Sequence, residues 1–387
     1  MAAGTVAAIP VPEVCIRLTL AGIALLALPP AVLAQAKPPT TDELEVTAAR
    51  ESLDAAVRYD LALAYLHDRR WDDAESALRR VIALNPRKGE AYLGLAVVQD
   101  QNKNFWHHVK DAGGDSAVAR EHRDREADLR RGFLVDPLAD IRILGYGDPH
   151  HYGLPPGLNT GNYRYAYNVA NAVEGGLRRR IHVRDSLPLG FLWWHGLLAA
   201  HANIYGDAIE DLALIIHRMQ RIEENDSLHV VPLPINGIRY VLAAVQQRAG
   251  NRAQAIALYR EVIENDVGNY MAQVQLAAVH EAGQEWSQAI EARRAAITAN
   301  PDEPLLQLDL AATLFNARFT ARAETALVNT GPVLRHDPRY LYLMGRVELA
   351  LGKNDQARNA FTEFLTMAPS RWTDAIDDAR KRLDNLH

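Results

Sequence analysis

Ala255, Ala289, Ala323 and Ala357 stand 34 residues apart, and so do Leu242, Leu276, Leu310 and Met344. The residue after each member of the second set is small: Ala243, Ala277, Ala311 and Gly345. Pro301 and Pro369 differ by twice the same interval. A fixed period of this length means a chain of stacked supersecondary units, none of which can bury its apolar face alone. Each copy reads as two amphipathic helices. In one, "PLLQLDLAATLFNAR" puts Leu305, Leu308 and Ala312 on a single face, and "ARAETALVNT" supplies a shorter second helix. In the last copy, "GKND" (352–355) interrupts the pattern, with Gly352 where a helix ends in the left-handed conformation.

Gly345 sits inside "LYLMGRVELALG", a run otherwise well patterned for helix. A glycine inside a helix costs roughly 1 kcal/mol relative to alanine, so something must require the missing side chain. Two antiparallel helices crossing closely supply that requirement. The small-residue columns at 243, 277, 311 and 345, and at 255, 289, 323 and 357, predict the same crossing in every copy.

These residues resemble the tetratricopeptide repeat. Residues 338–371 carry Leu341, Met344-Gly345, Gly352, Ala357, Phe361, Phe364 and Pro369, and 270–303 carry Leu276-Ala277, Trp286, Ala289, Ala296 and Pro301. Residues 236–269 and 304–337 follow the pattern, the latter with its proline late, at Pro338. Near the N-terminus, 55–88 match again through Leu61-Ala62, Tyr65, Trp71, Ala74, Leu78 and Pro86. The resemblance implies an all-α fold, a TPR-like α-solenoid in which antiparallel helix hairpins wind into a right-handed superhelix.

The middle departs from the period. "GEAYLGLAVVQD" (89–100) reads as a first helix, but its partner is displaced: "ADLRRGFLVDP" (127–137) copies the spacing of "SALRRVIALNP" (76–86). "GYGDPHHYGLPPGLNTGNY" (145–163), rich in Gly and Pro, reads as an exposed loop, and "RYAYNVANAVEGGLRRR" (164–180) as a helix. The expected organisation is a signal peptide over 1–36, TPR-like helices over 37–100, and an irregular insertion over 101–188. A TPR-like hairpin and linker follow over 189–235, four tandem repeats over 236–371, and a capping helix over 372–387.

The first segment shows targeting chemistry. Arg17 precedes an apolar run from Leu18 to Leu28, and Ala34 and Ala36 have signal-peptidase spacing, which predicts cleavage after Ala36 and export, to a periplasm. The only cysteine, Cys15, lies inside that segment, so the mature chain would hold no disulfide, thiol nucleophile or thiolate metal site. No later stretch is apolar and long enough to span a bilayer. Hydrophobic residues make up 48% and charged residues 23%, which marks a folding sequence, and a net charge of −6 argues against a nucleic-acid partner.

Catalytic patterns are lacking. There is no Walker A loop, no nucleophile-elbow serine and no H-E-x-x-H, and "GYGDPH" lacks the third glycine of a dinucleotide fingerprint. Histidines recur at 107–108, 150–151, 195 and 201. A metal site would need His150 or His151 with Asp148 folded over the 105–108 stretch; the plain alternative is a set of surface and packing histidines. Phe105, Trp106, Tyr152, Tyr163, Tyr165, Tyr167, Trp193 and Trp194 concentrate in the same region, either around a pocket or as core filling.

The expected function is therefore a non-catalytic protein–protein interaction scaffold with no cofactor and no metal, resembling exported bacterial tetratricopeptide-repeat proteins. In that family the first helix of each hairpin lines a concave face that binds peptides or partner proteins. Carried over, this nominates Tyr240, Gln247, Arg248, Met271, Val274, Glu281, Leu305, Leu308, Phe315, Arg339, Tyr342 and Arg346, about half of them expected to be exposed. Self-association through the repeats is a further expectation. The alternative is a ligand-binding protein or metal-dependent hydrolase with its site in 100–188.

Overall fold

The computed structural model describes residues 39–101, 115–147, 154–155, 158–181, 187–221 and 231–386. Its α-helices are α1 (Thr41–Arg50), α2 (Ala55–His67), α3 (Trp71–Leu84), α4 (Gly89–Gln101), α5 (Asp115–Val135), α6 (Tyr163–Ile181), α7 (Leu189–His201), α8 (Tyr205–Arg221), α9 (Ile235–Arg248), α10 (Arg252–Asn265), α11 (Tyr270–Ala282), α12 (Trp286–Ala299), α13 (Pro304–Asn316), α14 (Thr320–Val328), α15 (Pro338–Ala350), α16 (Asn354–Met367) and α17 (Thr373–Asp384). Short 3-10 turns run over Ile141–Tyr146, Leu158–Thr160 and Pro332–Leu334. The described residues contain no β-strand. They divide into two compact units, one within residues 47–306 and one of residues 307–386 together with 39–46.

Within the first unit the hairpins are α2/α3, α4/α5, α7/α8, α9/α10 and α11/α12. The turns of α2/α3, α7/α8, α9/α10 and α11/α12 share one device. Arg69, Asn203, Gly250 and Gln284 all have positive φ, between 57° and 82°. The next amide in each case reaches back five residues to a carbonyl of the helix just ended: Arg70 to Tyr65, Ile204 to Ala199, Asn251 to Gln246 and Glu285 to His280. This closure satisfies carbonyls that the helix end would leave bare. Arg318 (φ 68°) and Gly352 (φ 76°) repeat it in the second unit, where Phe319 bonds Leu314 and Lys353 bonds Glu348. Positions 250, 284, 318 and 352 keep the 34-residue interval, yet only two of the four are glycine.

The small-residue columns are fully enclosed. Ala243, Ala277, Ala311, Ala255, Ala289, Ala323 and Ala357 have no exposed surface, and Gly345 is buried. A Cβ at Gly345 would lie 2.7 Å from Cδ1 and Cε1 of Phe361 on the facing helix α16. Around these crossings the core of repeats α9–α12 is built from Tyr240, Tyr259, Val262, Met271, Leu276 and their neighbours. The second unit has its own core of Leu341, Tyr342, Phe361, Phe364 and Ala375.

The displaced hairpin forms as the spacing predicts. The segment 127–137 makes up the C-terminal half of α5 and the turn after it, and packs on α4. Gln99 donates to Asp128 at 2.9 Å, and a Cβ at Gly132 would stand 2.9 Å from the Gly89 carbonyl.

The 145–163 stretch differs from the exposed loop expected. Among its described residues Leu154 and Leu158 are buried, and Gly145 lets its backbone come against Asn159, where a Cβ would approach the amide to 2.6 Å. Two leucines embedded in a Gly/Pro-rich run give it an apolar anchor that composition alone conceals.

Candidate partner-docking surface

The twelve nominated residues lie on or beside the first helices of their hairpins, α9, α11, α13 and α15, and most are enclosed. Tyr240, Met271, Val274, Leu305, Leu308, Tyr342 and Arg346 are buried, and Gln247, Glu281, Phe315 and Arg339 are half-buried. Only Arg248 is exposed, so the expectation that about half would be open to solvent is not met. The physical reason is that each first helix is covered from two sides: Tyr240 packs on Tyr259 and Tyr342 on Phe364 of the same hairpin, while Tyr342 and Arg346 also meet Asp378 and Phe315 of neighbouring helices.

Several polar members are also engaged within their own unit. The Tyr259 hydroxyl donates to Gln247 at 2.8 Å. Arg293, 5% exposed, donates to Glu281 at 2.9–3.0 Å. Arg339 forks onto Asp337, the residue capping α15. Tyr342 donates to Asp378 of α17 at 2.8 Å, and burial first, then that bond, pushes its pKa up to about 12. The Arg346 guanidinium packs over the rings of Phe315 and Tyr342, at 5.2 and 5.6 Å.

The α9 part of the stripe has a neighbour that sequence spacing did not suggest. Helix α5 touches α9. Arg130 donates to the Pro232 carbonyl, just before α9, at 3.1 Å. Past the end of α5, Asp136 is close enough to feel the Arg248 charge and to raise the Tyr240 pKa, although burial is the main cause of that rise. Asp136 itself is pushed up to about 6, chiefly by burial and then by Glu90, with a bond from the Leu138 amide and the charges of Arg248 and Lys88 opposing. A polar seam continues from there. Arg131 reaches the Tyr270 hydroxyl at 3.5 Å, Tyr270 bonds Glu303, and Arg87 donates to Glu303 at 2.6 Å across 216 residues of sequence.

In the middle of the chain, His195 and His201 are held by neighbouring side chains and backbone. His195 hydrogen-bonds Asp211, and both are buried. His201 stacks on Tyr163 with ring centroids 4.5 Å apart and meets the Ala139 carbonyl at 3.1 Å. Its pKa is lowered to about 4, by burial first and then by Arg248. Trp193, Trp194 and Tyr167 are buried, with Trp193 edge-on to Phe133 at 5.2 Å, whereas Tyr165 is exposed. Among the described residues no three His, Cys, Asp or Glu side chains converge as a metal site. Residues 105–108 and 148–152, and the signal segment 1–36, lie outside the described residues. No helix among the described residues is long and apolar enough to cross a membrane.

Paired helices repeated at 34 residues, with small residues at each crossing, define a helical-hairpin repeat protein. One tetratricopeptide-repeat family model matches residues 59–105 and 240–304, and a second matches 338–371. Those residues carry tetratricopeptide repeats. No curated protein matches it in sequence. Among solved structures, it is similar to a tetratricopeptide repeat protein from Parabacteroides merdae ATCC 43184 at 11% identity, covering 89% of this chain and 98% of that one, with a TM-score of 0.39. A MamA RS-1 ArsTM double mutant is 14% identical over 47% of this chain and 96% of its own, with a TM-score of 0.39. The TPR domain of P58(IPK) is 12% identical over 89% and 93%, with a TM-score of 0.26.

Proposed function

We propose that the chain is a non-catalytic scaffold that binds a peptide or partner protein along the first helices of its hairpins, exported by its N-terminal segment. The repeat fold is of a kind that presents side chains from successive parallel helices to one partner. The observation that carries the reading is the graded exposure of the stripe. Its apolar members are enclosed and fix the helices, while Gln247, Arg248, Glu281, Phe315 and Arg339 keep surface that a partner can touch. Export rests on Arg17, the apolar run from Leu18 to Leu28, and the Ala34/Ala36 spacing.

Burial decides which variants can test this. Tyr240→Ala and Tyr342→Ala would open cavities and report on stability, so they are poor probes of binding. Arg248→Gln changes an exposed side chain and removes its charge without reversing it. Co-purification with mass spectrometry should recover a partner with the wild-type chain and lose it with Arg248→Gln, while circular dichroism shows both proteins equally folded. Recovery unchanged by that variant and abolished by deleting 145–160 would move the site to the insertion.

A further inference from the structure

We propose that the stretch 138–146 is an internal ligand, seated on the first helices α2, α4 and α7 where the scaffold reading would otherwise place a partner. The inference rests on that reading and extends its register. Tyr59 stands two residues before Leu61-Ala62, as Tyr240 stands before Leu242-Ala243. His201 stands five residues after Gly196, as Arg248 stands after Ala243. Spacing therefore puts Tyr59 and His201 in the docking stripe. The stripe members that keep surface, Gln247, Arg248, Glu281, Phe315 and Arg339, all follow residue 236.

The turn Ile141–Tyr146 packs against both α2 and α4. Gly94 of α4 makes a notch for it: a Cβ there would stand 2.6 Å from Cδ1 of Ile143. At the start of α4, a Cβ at Gly89 would stand 2.9 Å from the Ala139 Cβ. From α7, His201 donates through Nε2 to the Ala139 carbonyl at 3.1 Å, and from α6 the Tyr163 hydroxyl donates to Asp140. Leu138, Ala139, Ile141, Ile143 and Leu144 are buried, and so is Tyr59. A single 3-10 turn has weak hydrogen bonds of its own, so the surrounding helices fix its place. The stretch is held as a bound peptide is held, by one backbone carbonyl, one carboxylate and alternate apolar side chains. The face beneath it fits an apolar segment in which an aspartate precedes alternating isoleucines.

The test adds a fluorescein-labelled synthetic peptide of residues 136–147 to the full chain. With Ile141→Ser/Ile143→Ser in the chain, the internal copy is weakened and the peptide should bind saturably, read by fluorescence anisotropy. Wild-type chain, whose face is occupied, should bind it at least about tenfold more weakly. A peptide carrying the same two serines should not bind the variant. A folded variant that ignores the peptide, or a wild type that binds it as tightly, overturns the proposal. If the double variant loses its helical circular dichroism, Ile143→Ala takes its place. Excess peptide should then raise the melting temperature of Ile143→Ala and leave that of the wild type unmoved, and no rise overturns the proposal. Neither readout involves the co-purified partner or Arg248. Failure here therefore leaves the scaffold reading standing, and failure of the Arg248→Gln test leaves these readouts as they are.

Discussion

The Phe361 ring occupies the space a side chain at Gly345 would need: an added Cβ would stand 2.7 Å from two ring carbons and 2.9 Å from a third. Helices α15 and α16 can cross at this distance only because position 345 has no side chain. Gly345→Ala should therefore destabilise the second unit by about 1–3 kcal/mol, even though alanine is the better helix former by roughly 1 kcal/mol. Gly345→Ala/Phe361→Leu should recover part of that loss, because the smaller residue vacates the clash. Thermal melts of the two variants read the difference.

The left-handed turn positions predict opposite signs for two substitutions. Gly352 has φ 76°, so Gly352→Ala should cost about 1 kcal/mol. Arg318 has φ 68° without the freedom of glycine, so Arg318→Gly should gain up to about 1 kcal/mol. Urea titrations of both should move in opposite directions from the wild type.

Asp136 predicts a pH dependence. Its folded pKa of about 6 lies above the ordinary carboxylate value of 3.8, so the native state binds the proton more tightly than the unfolded chain. The stability owed to this group is full below the unfolded value, falls as pH rises through the folded one, and stays lowered above it. Asp136→Asn removes that fall. Asparagine keeps the acceptor for the Leu138 amide, and Asn85 already makes the same turn onto the Arg87 amide. The variant should be more stable than the wild type by about 1–2 kcal/mol above pH 6, with the gain vanishing below pH 4.

Glu281 and Arg293 predict that a nominated docking residue also serves the fold. Their side chains are 15% and 6% exposed and paired at 2.9 Å. Glu281→Leu leaves a buried guanidinium poorly matched and should cost about 3 kcal/mol, whereas Glu281→Leu/Arg293→Met should return close to the wild type. Chemical denaturation of both variants measures it.

The repeat was legible because close crossings leave a mark that sequence can carry. Gly345, Ala311 and Ala357 are small because something touches them, so their 34-residue spacing encodes contact directly. The turns were only half legible: Gly250 and Gly352 announce a left-handed residue, but Gln284 and Arg318 adopt the same conformation with no such signal. The docking stripe was drawn from family positions, which say which helix faces inward but not how far its neighbours cover it. Tyr240 sits in that stripe and also packs on Tyr259, with ring centroids 6.0 Å apart. The contact of Arg87 with Glu303 left no trace at all, since a pair 216 residues apart obeys no local period. Leu154 and Leu158 were hidden by the glycines and prolines around them.

Hydrogen–deuterium exchange with and without a co-purified partner tests the scaffold reading most directly. The account predicts that the partner slows exchange in peptides from α9 and α11, residues 235–282, and leaves 158–181 unchanged. Protection confined to 158–181, with α9 and α11 exchanging as in the free chain, would contradict it.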